Sequence, residues 1–306
     1  MTNTPSTNIF DTRQVRRAFA RSAASYESAA TLQREVESRL LESLDYYQNR
    51  STDRAAPQVV LDVGCGPAHA AAAMQQRWPR AQVIAVDLAL PMLHASGAHV
   101  GGWRPLRRSV ERICADAAAL PIAEGSVDLL FSNLCLQWID DLPALFAGFR
   151  RVLKPGGLLL VSTFGRETLV ELRDAFVHAD ATPHVSPFVS MAQFGDAMMM
   201  AGFRDPVLDR DVFVPGYPDL PALMRELRAL GATNALRQRR HTLTGKSRFA
   251  NAAAAYEQER RSDGQLPATW EVVYAHAWAP DHGAPIREHG FDVTAVPLSS
   301  IPIRRR

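Results

Sequence analysis

Apolar and polar positions along the chain follow two rhythms. From Asp11 onward, Val15, Phe19, Tyr26 and Ala30 recur at helical spacing, and Leu32, Val36, Leu40 and Leu44 continue the stripe in a second helix. Residues 1–10 read as a flexible lead, so 1–50 is expected to be an N-terminal helical cap, and "QNRSTDRAAP" (48–57) a polar linker. Then short apolar runs at 58–63, 82–86, 127–132 and 157–163 alternate with helix-like segments. "DLPALFAGFRRVLKPGG" reads as a helix closed by a Pro-Gly-Gly stop. Apolar strands alternating with helices predict a mainly parallel sheet covered on both faces.

After Phe164 the rhythm breaks. A helix at 166–179, a proline-bearing loop, a helix at 190–201 and the segment "PVLDRDVFVPG" follow. A helix-rich stretch at 219–260 leads to a last strand, "TWEVVYAHAWA". The main domain is therefore expected over 51–280, with helical insertions near 165–188 and 218–266 and an irregular tail at 281–306.

Composition changes this picture little. The chain has 306 residues, 47% hydrophobic and 22% charged, with a net charge of +2, so no global nucleic-acid field is expected. Cys65, Cys114 and Cys135 have no close pairing, which argues against a disulfide framework and against a zinc site and fits a reducing, cytoplasmic compartment; no metal ligands are expected. No apolar stretch is long enough to cross a bilayer, so no membrane partner is expected.

The chemistry begins at "VVLDVGCGPAHAAAAM" (59–74). A strand ending in an acid, two close glycines and a helix form a cradle for a nucleotide-like ligand, because glycine admits the backbone closely and the helix start presents free N–H groups. The spacing is G-x-G-x-A, shorter than the G-x-G-x-x-G of a pyrophosphate site. Asp62 would repel a pyrophosphate and suits an ammonium. Asp87, at the end of "VIAVDLA", stands where an acid accepts both ribose hydroxyls. These details favour S-adenosylmethionine over a dinucleotide.

"LDVGCGPA", "VDLALPML", "CADAAALPIAEGSVDLLFSN" and "RVLKPGGLLLVSTF" resemble the successive motifs of class I S-adenosylmethionine-dependent methyltransferases, over roughly residues 57–165. The resemblance implies an α/β, Rossmann-like fold with a mainly parallel seven-stranded sheet, helices on both faces, N-terminal helices, and helical insertions after the fifth and sixth strands. It puts Gly64 and Gly66 against the cofactor's amino-acid part, Asp62 near its ammonium and Asp87 on its ribose. Asp116 and Ala117 would contact the adenine, Leu88 and Met92 would pack its faces, and Asn133 would open toward the sulfonium. Ala68 departs from a common third glycine, with little consequence expected, and Ala89 from a common hydroxyl residue. The loop "NLCLQW" lacks the Asn/Asp-Pro-Pro-aromatic pattern of base N-methylation. No Pro-Cys occurs for cytosine methylation, so Cys135 is expected to be a buried small hydrophobe.

The outer segments "VRRAFARSAASYESAATLQREVESRLLE", "FSNLCLQWIDDL", "TFGRETLVELRDAF" and "LMRELRALGATN" resemble the malonyl-acyl carrier protein O-methyltransferases of the biotin pathway. That family esterifies the free malonyl carboxylate so that fatty-acid elongation can proceed. A malonyl carboxylate is already ionised at neutral pH, so no general base is required. The enzyme must align an oxygen with the methyl group and exclude water. An arginine is expected to fork onto the substrate carboxylate. The candidates are Arg17, Arg21, Arg173 and Lys246, with Arg173 first because the helix after the fifth strand covers the active site in this architecture. Tyr26, with Gln33, is expected over the cofactor, and Gln137 and Trp138 at the acceptor pocket. The partner is acyl carrier protein carrying malonyl, or malonyl-coenzyme A. A carrier presents an acidic helix, and "RQRRHTLTGKSR" (237–248) is the candidate basic docking segment. Methylation of another small carboxylic acid stays open, as does a cofactor-binding assembly role related to the complex I arginine hydroxylase.

Overall fold

The apolar runs become strands of one sheet: β1 (Val59–Val63), β2 (Gln82–Asp87), β4 (Val127–Ser132) and β5 (Leu153–Phe164). They are joined by β3 (Glu111–Cys114), β6 (Arg204–Phe213) and β7 (Trp270–Trp278). The computed structural model describes residues 8–49, 56–100, 109–240, 242, 245–281, 286–288 and 291–293, so most of the 48–57 linker lies outside the described residues. Strand order is β3-β2-β1-β4-β5-β7-β6. The first five are parallel, and β7 runs antiparallel to both β5 and β6. This is the class I methyltransferase sheet. The order reverses between β1 and β4, so the carboxyl ends of those two strands diverge and leave a crevice, the usual ligand position in such a sheet.

The central strands read as continuous apolar runs because both faces are covered. On one face lie Phe146, Phe149 and Val152 of α7 (Leu142–Val152) and Phe194 and Met198 of α9 (Met191–Met200). On the other face lie Ala70, Ala71 and Met74 of α4 (His69–Arg77), with Leu40 and Leu44 of α3 (Thr31–Asn49). Before α3 come α1 (Thr12–Ser22) and the single turn α2 (Tyr26–Ala29). Val36 of α3 belongs instead to a further cluster, built with α8 (Val170–Val177), α10 (Leu220–Ala229) and α11 (Lys246–Tyr256). One amphipathic helix thus ties the cap to the sheet and to the later helices. Between β2 and β3 run α5 (Leu90–Ala95) and α6 (Gly97–Val100).

Three local expectations change. Helix α7 ends at Val152 rather than at the Pro-Gly-Gly; those residues enter β5, where Gly156 takes φ +69 beside a register shift. The segment expected as one helix over 166–179 is helical only over Val170–Val177. The tail read as irregular carries an antiparallel pair, Ile286–Glu288 with Phe291–Val293.

Candidate active site

The glycine loop is shaped from both sides. After β1, the Gly64 and Cys65 N–H groups donate to the Val86 carbonyl at 2.8 and 3.0 Å, which carries the β1–β2 ladder into the turn. Gly64 has φ +72, and a Cβ there would lie 2.4 Å from both Cβ and Sγ of Cys135. Gly66 has φ +52 with space beside it, so its conformation alone selects glycine. Ala68 also sits at φ +63, so the small residue does carry a consequence: about 1–2 kcal/mol of left-handed strain, partly offset because its methyl is buried. Gly64→Ala is expected to cost about 1–3 kcal/mol from positive φ alone. Adding Cys135→Gly should recover only the contact part of the loss, as read by urea unfolding.

The loop borders two connected recesses. The larger, about 500 Å³, suits a ligand of nucleoside size. Leu88, Met92, Asp116, Ala117 and Asn133 line it, as do Gly64, Gly66 and Asp87. The Asp87 carboxylate accepts the Gly66 N–H at 2.9 Å and the Ala89 N–H at 2.7 Å, so one acid fixes both loops. Asp116 caps the short turn Ala117–Ala119 by accepting the Ala118 N–H at 2.9 Å. Asn133 bridges the strand ends: its amide donates to the Gln33 carbonyl at 3.0 Å, and its oxygen accepts from the Ser162 hydroxyl at 2.7 Å. The next residue, Leu134, is held at φ +46 on the cavity lining, a strained conformation of the kind that clusters at functional sites.

The smaller recess, about 30 Å³, has room for one small polar group. Asp62, Glu37, Gln33 and Arg34 line it. Asp62 is 2% exposed and accepts only the Ala71 N–H, at 3.1 Å. Burial pushes its carboxyl well above the ordinary range, with Glu37 adding to the effect. Burial likewise pushes Glu37 up to about 7, against the pull of Arg34. The Gln33 Oε1 is buried without a hydrogen-bond partner. Arg34 offsets the two carboxylates only in part, and the Gln33 oxygen has no donor. An ammonium group supplies both the charge and the hydrogens.

Tyr26, on α2, lines both recesses and stands at their junction. Burial, with Asp87 and Glu37 nearby, raises its phenol further above neutrality, so it remains a hydrogen-bond donor. Burial also pushes the Cys135 thiol up to about 12, which keeps it neutral and unreactive. Trp138 lines the large cavity and packs edge-on against Phe10 and Phe19, at 6.0 and 5.5 Å between ring centroids. Gln137 lines neither recess; its amide donates back to the Leu134 carbonyl at 2.6 Å and braces the loop beneath.

Arg173 needs correction as the clamp. It lines neither recess, and its guanidinium donates to the Arg166 carbonyl at 3.1 Å near the surface. Helix α8 buries Leu172, Ala175 and Phe176, which turns position 173 outward. The cation on the large cavity is Arg16 of α1, among the described residues the lone Lys or Arg of that lining. The "VRRAF" pattern contained it, but the sequence alone did not tell Arg16 from Arg17. Val15 and Ala18 face inward, which rotates position 16 to the cavity edge and positions 13, 17 and 21 to the outside.

The basic segment is corrected too. Arg239 pairs with Asp11 at 3.0 Å, Arg240 with Asp180 at 3.0 Å, and Arg248 approaches the same carboxylate at 3.6 Å. Arg237 donates to the Phe10 carbonyl at 3.1 Å. These arginines fasten the N-terminal segment and the loop after α8 rather than forming a free face; His241, Leu243 and Thr244 lie outside the described residues. The Thr182 N–H, then His184 and Arg240, hold the Asp180 carboxyl far below the ordinary range. A depressed folded pKa stabilises above the unfolded value, about 4, and that contribution is lost as pH falls through the folded one. Asp180→Asn should therefore lower the urea midpoint at pH 7, with the gap from wild type closing in acid.

Residues 61–161 match the family model described as a methyltransferase domain. A malonyl-acyl carrier protein O-methyltransferase from Xylella fastidiosa is 57% identical over 298 residues, covering 97% of this chain and 98% of that protein. One from Methylovorus is 45% identical, covering 89% of this chain and 90% of the relative. Among solved structures, the YcgJ protein of Bacillus subtilis superposes with a TM-score of 0.54 at 14% identity, over 77% of this chain and 97% of its own. A putative methyltransferase from Bacillus halodurans gives 0.52 at 16%, over 78% and 99%. The two structural likenesses establish the fold.

Proposed function

Because this chain belongs to the malonyl-acyl carrier protein O-methyltransferase family, we propose that it esterifies the free carboxylate of a malonyl group held on an acyl carrier protein, the step that opens pimeloyl synthesis for biotin. The methyl donor is S-adenosylmethionine. When bound, it supplies a methyl group on a sulfonium, which passes to a carboxylate oxygen and leaves a neutral thioether. The residues fit it: Asp62, Glu37 and the unpartnered Gln33 amide oxygen offer acceptors for its ammonium, and Asp87, with a spare lone pair on each oxygen, faces the larger recess for its ribose. Leu88 and Met92 offer apolar faces to its adenine beside Asp116 and Ala117.

The observation that carries the reading is the charge pattern of the large cavity. Asp87, Asp116, Asp140 and Asp141 line it, and they favour a cationic cofactor. Against them stands Arg16, which has no ion pair with any described residue and serves as the fork for the malonyl carboxylate. The substrate enters ionised, so Tyr26 and Asn133 position rather than remove a proton. Trp138 and Phe19 wall the cavity and keep water out.

The carrier docks, in our reading, on α1. Arg13, Arg17 and Arg21 recur every fourth residue, so they share one face, and all are exposed. The helix contains no acid, and none of the three pairs with a described residue. An acidic carrier helix laid along this row ends beside Arg16 at the cavity mouth. We place the reaction in the cytoplasm on the strength of three free cysteines; no described helix is long and apolar enough to cross a membrane.

Mass spectrometry of malonyl-carrier incubated with the enzyme and S-adenosylmethionine tests the activity, with a half-ester as the expected product. Esterification of free dicarboxylates in preference to the carrier substrate would instead mark a small-acid enzyme. Cofactor binding without any esterification would mark an assembly role. Charge reversal at Arg13, Arg17 and Arg21 should slow the carrier substrate, spare malonyl-coenzyme A and flatten the salt response. Parallel loss of both substrates would move docking elsewhere.

A further inference from the structure

At the rim of the smaller recess, which Glu27 and His69 line, three potential metal ligands converge from elements far apart in sequence. Glu27 belongs to α2, His69 opens α4 just after the glycine loop, and His99 lies on α6. The Glu27 Oε1 accepts a hydrogen bond from the His99 Nε2, and the His69 Nε2 stands 3.4 Å from the same oxygen. The three ligand atoms all lie within 4.8 Å of one another. The imidazole rings are tilted by 38° with centroids 3.9 Å apart, so both present Nε2 to one point.

We propose that Glu27, His69 and His99 form a divalent transition-metal site that latches the N-terminal cap onto the cofactor loop. Two imidazoles and one carboxylate are a ligand set that zinc accepts, with the remaining position left to water. Ligand atoms about 2.1 Å from a tetrahedral ion stand about 3.4 Å apart, which is the Glu27–His69 separation already present. Metal entry takes the His99 tautomer with its proton on Nδ1 rather than Nε2, and Glu27, exposed on a short turn, swings outward to open that contact. Arg34 donates to the Glu27 carbonyl, so it holds the turn and leaves the carboxylate free for the ion.

The site's position gives it a use. Tyr26 is the residue before Glu27, and its ring lies 3.9 Å from where a Cβ on Gly66 would stand. His69 follows Gly66 by a single turn of chain. An ion bound here joins the roof to the floor of the cofactor site at the rim of the smaller recess. Exchange of S-adenosylmethionine then slows when metal is bound. The second part of this inference rests on the cofactor reading; the metal site does not.

The test uses the full chain in a Cys114→Ser background, because that exposed thiol would compete for metal. Co²⁺ titration should give a single equivalent with the visible absorption of a tetrahedral nitrogen and oxygen site, displaced by Zn²⁺. His69→Ala and His99→Ala should each weaken Zn²⁺ binding at least about tenfold in calorimetry, and Glu27→Gln should weaken it as well. Absence of saturable binding, or binding unchanged in both histidine variants, overturns the site. Since these titrations need no cofactor, they stand apart from the cofactor assignment. Stopped-flow release of S-adenosylmethionine, with and without Zn²⁺, tests the latch. Slower release in wild type that disappears in His99→Ala supports it, and release indifferent to Zn²⁺ overturns it.

Discussion

Arg16→Glu is expected to lower kcat/KM for malonyl substrates by roughly 10²–10⁴-fold. A charge-assisted fork is worth about 1.5–3 kcal/mol, and a like charge beside the substrate carboxylate adds a repulsion of similar size. Tenfold in rate corresponds to about 1.4 kcal/mol. Arg16 is exposed at the cavity edge before substrate arrives, so Arg16→Ala, which only removes the pair, should lose less, about 10–100-fold. Arg16→Lys keeps the charge but not the fork and should recover part of the loss, mainly in KM. The effect should be common to malonyl-carrier and malonyl-coenzyme A, because the clamp holds the group they share. Arg173→Ala is the control and should leave both rates near wild type, since its guanidinium is turned to a backbone carbonyl on the surface. Steady-state rates with both substrates decide the matter. An intact rate in Arg16→Glu would return the clamp to Arg17, Arg21 or an uncharged donor such as Tyr26.

Cofactor affinity should rise with pH through about 7. Glu37 titrates near that value in the free enzyme because burial disfavours its charged form. The cofactor's ammonium is stabilised only by the carboxylate, so binding expels the proton. Below about pH 7 each unit then weakens affinity by up to about tenfold, approaching a hundredfold by pH 5. Asp62, also raised by burial, steepens the acid end, while Arg34 moderates it. Calorimetry across that range checks the slope. Glu37→Gln should flatten it and weaken binding at pH 8. A pH-independent affinity would separate the ammonium from this recess. At saturating cofactor the methyl-transfer rate should stay flat over the same range, because no group on the enzyme has to take a proton.

The parts of the fold legible in the sequence were those with a one-sided or two-sided apolar pattern. β1, β2, β4 and β5 are buried on both faces and stand out as runs. β3 does not: it is an edge strand, and of Glu111, Arg112, Ile113 and Cys114 none is buried. Its place follows from pairing with β2, which no local pattern encodes. The cofactor side of the candidate site was legible for the same reason as the strands. Asp62, Gly64, Gly66 and Asp87 owe their places to a short connection whose shape is local. The acceptor side was not. Whether Arg16 or Arg17 faces the cavity depends on how α1 rotates over the sheet, and that is fixed by Val15 and Ala18 packing against distant residues. Basic density at 237–248 was visible, but its acidic partners Asp11 and Asp180 lie far off in sequence, so a fastening looked like a docking face.

That fastening sets an order on synthesis. The Asp11 N–H donates to the Ala235 carbonyl at 2.8 Å, and the Arg237 N–H donates to the Ile9 carbonyl at 2.8 Å. An earlier stretch is thus anchored by one that follows 227 residues later. While the ribosome works through the sheet, Trp138 and Asp140 offer the N-terminal segment its first contacts, but the bonds to residues 235–237 wait for that stretch to emerge. The nascent protein therefore completes its nucleotide cradle before its roof is fastened. A chain stalled or clipped before residue 235 would carry the five parallel strands, a β6 without its β7 partner and an unfastened arginine-rich arm, a form suited to capture by chaperones and proteases rather than to catalysis.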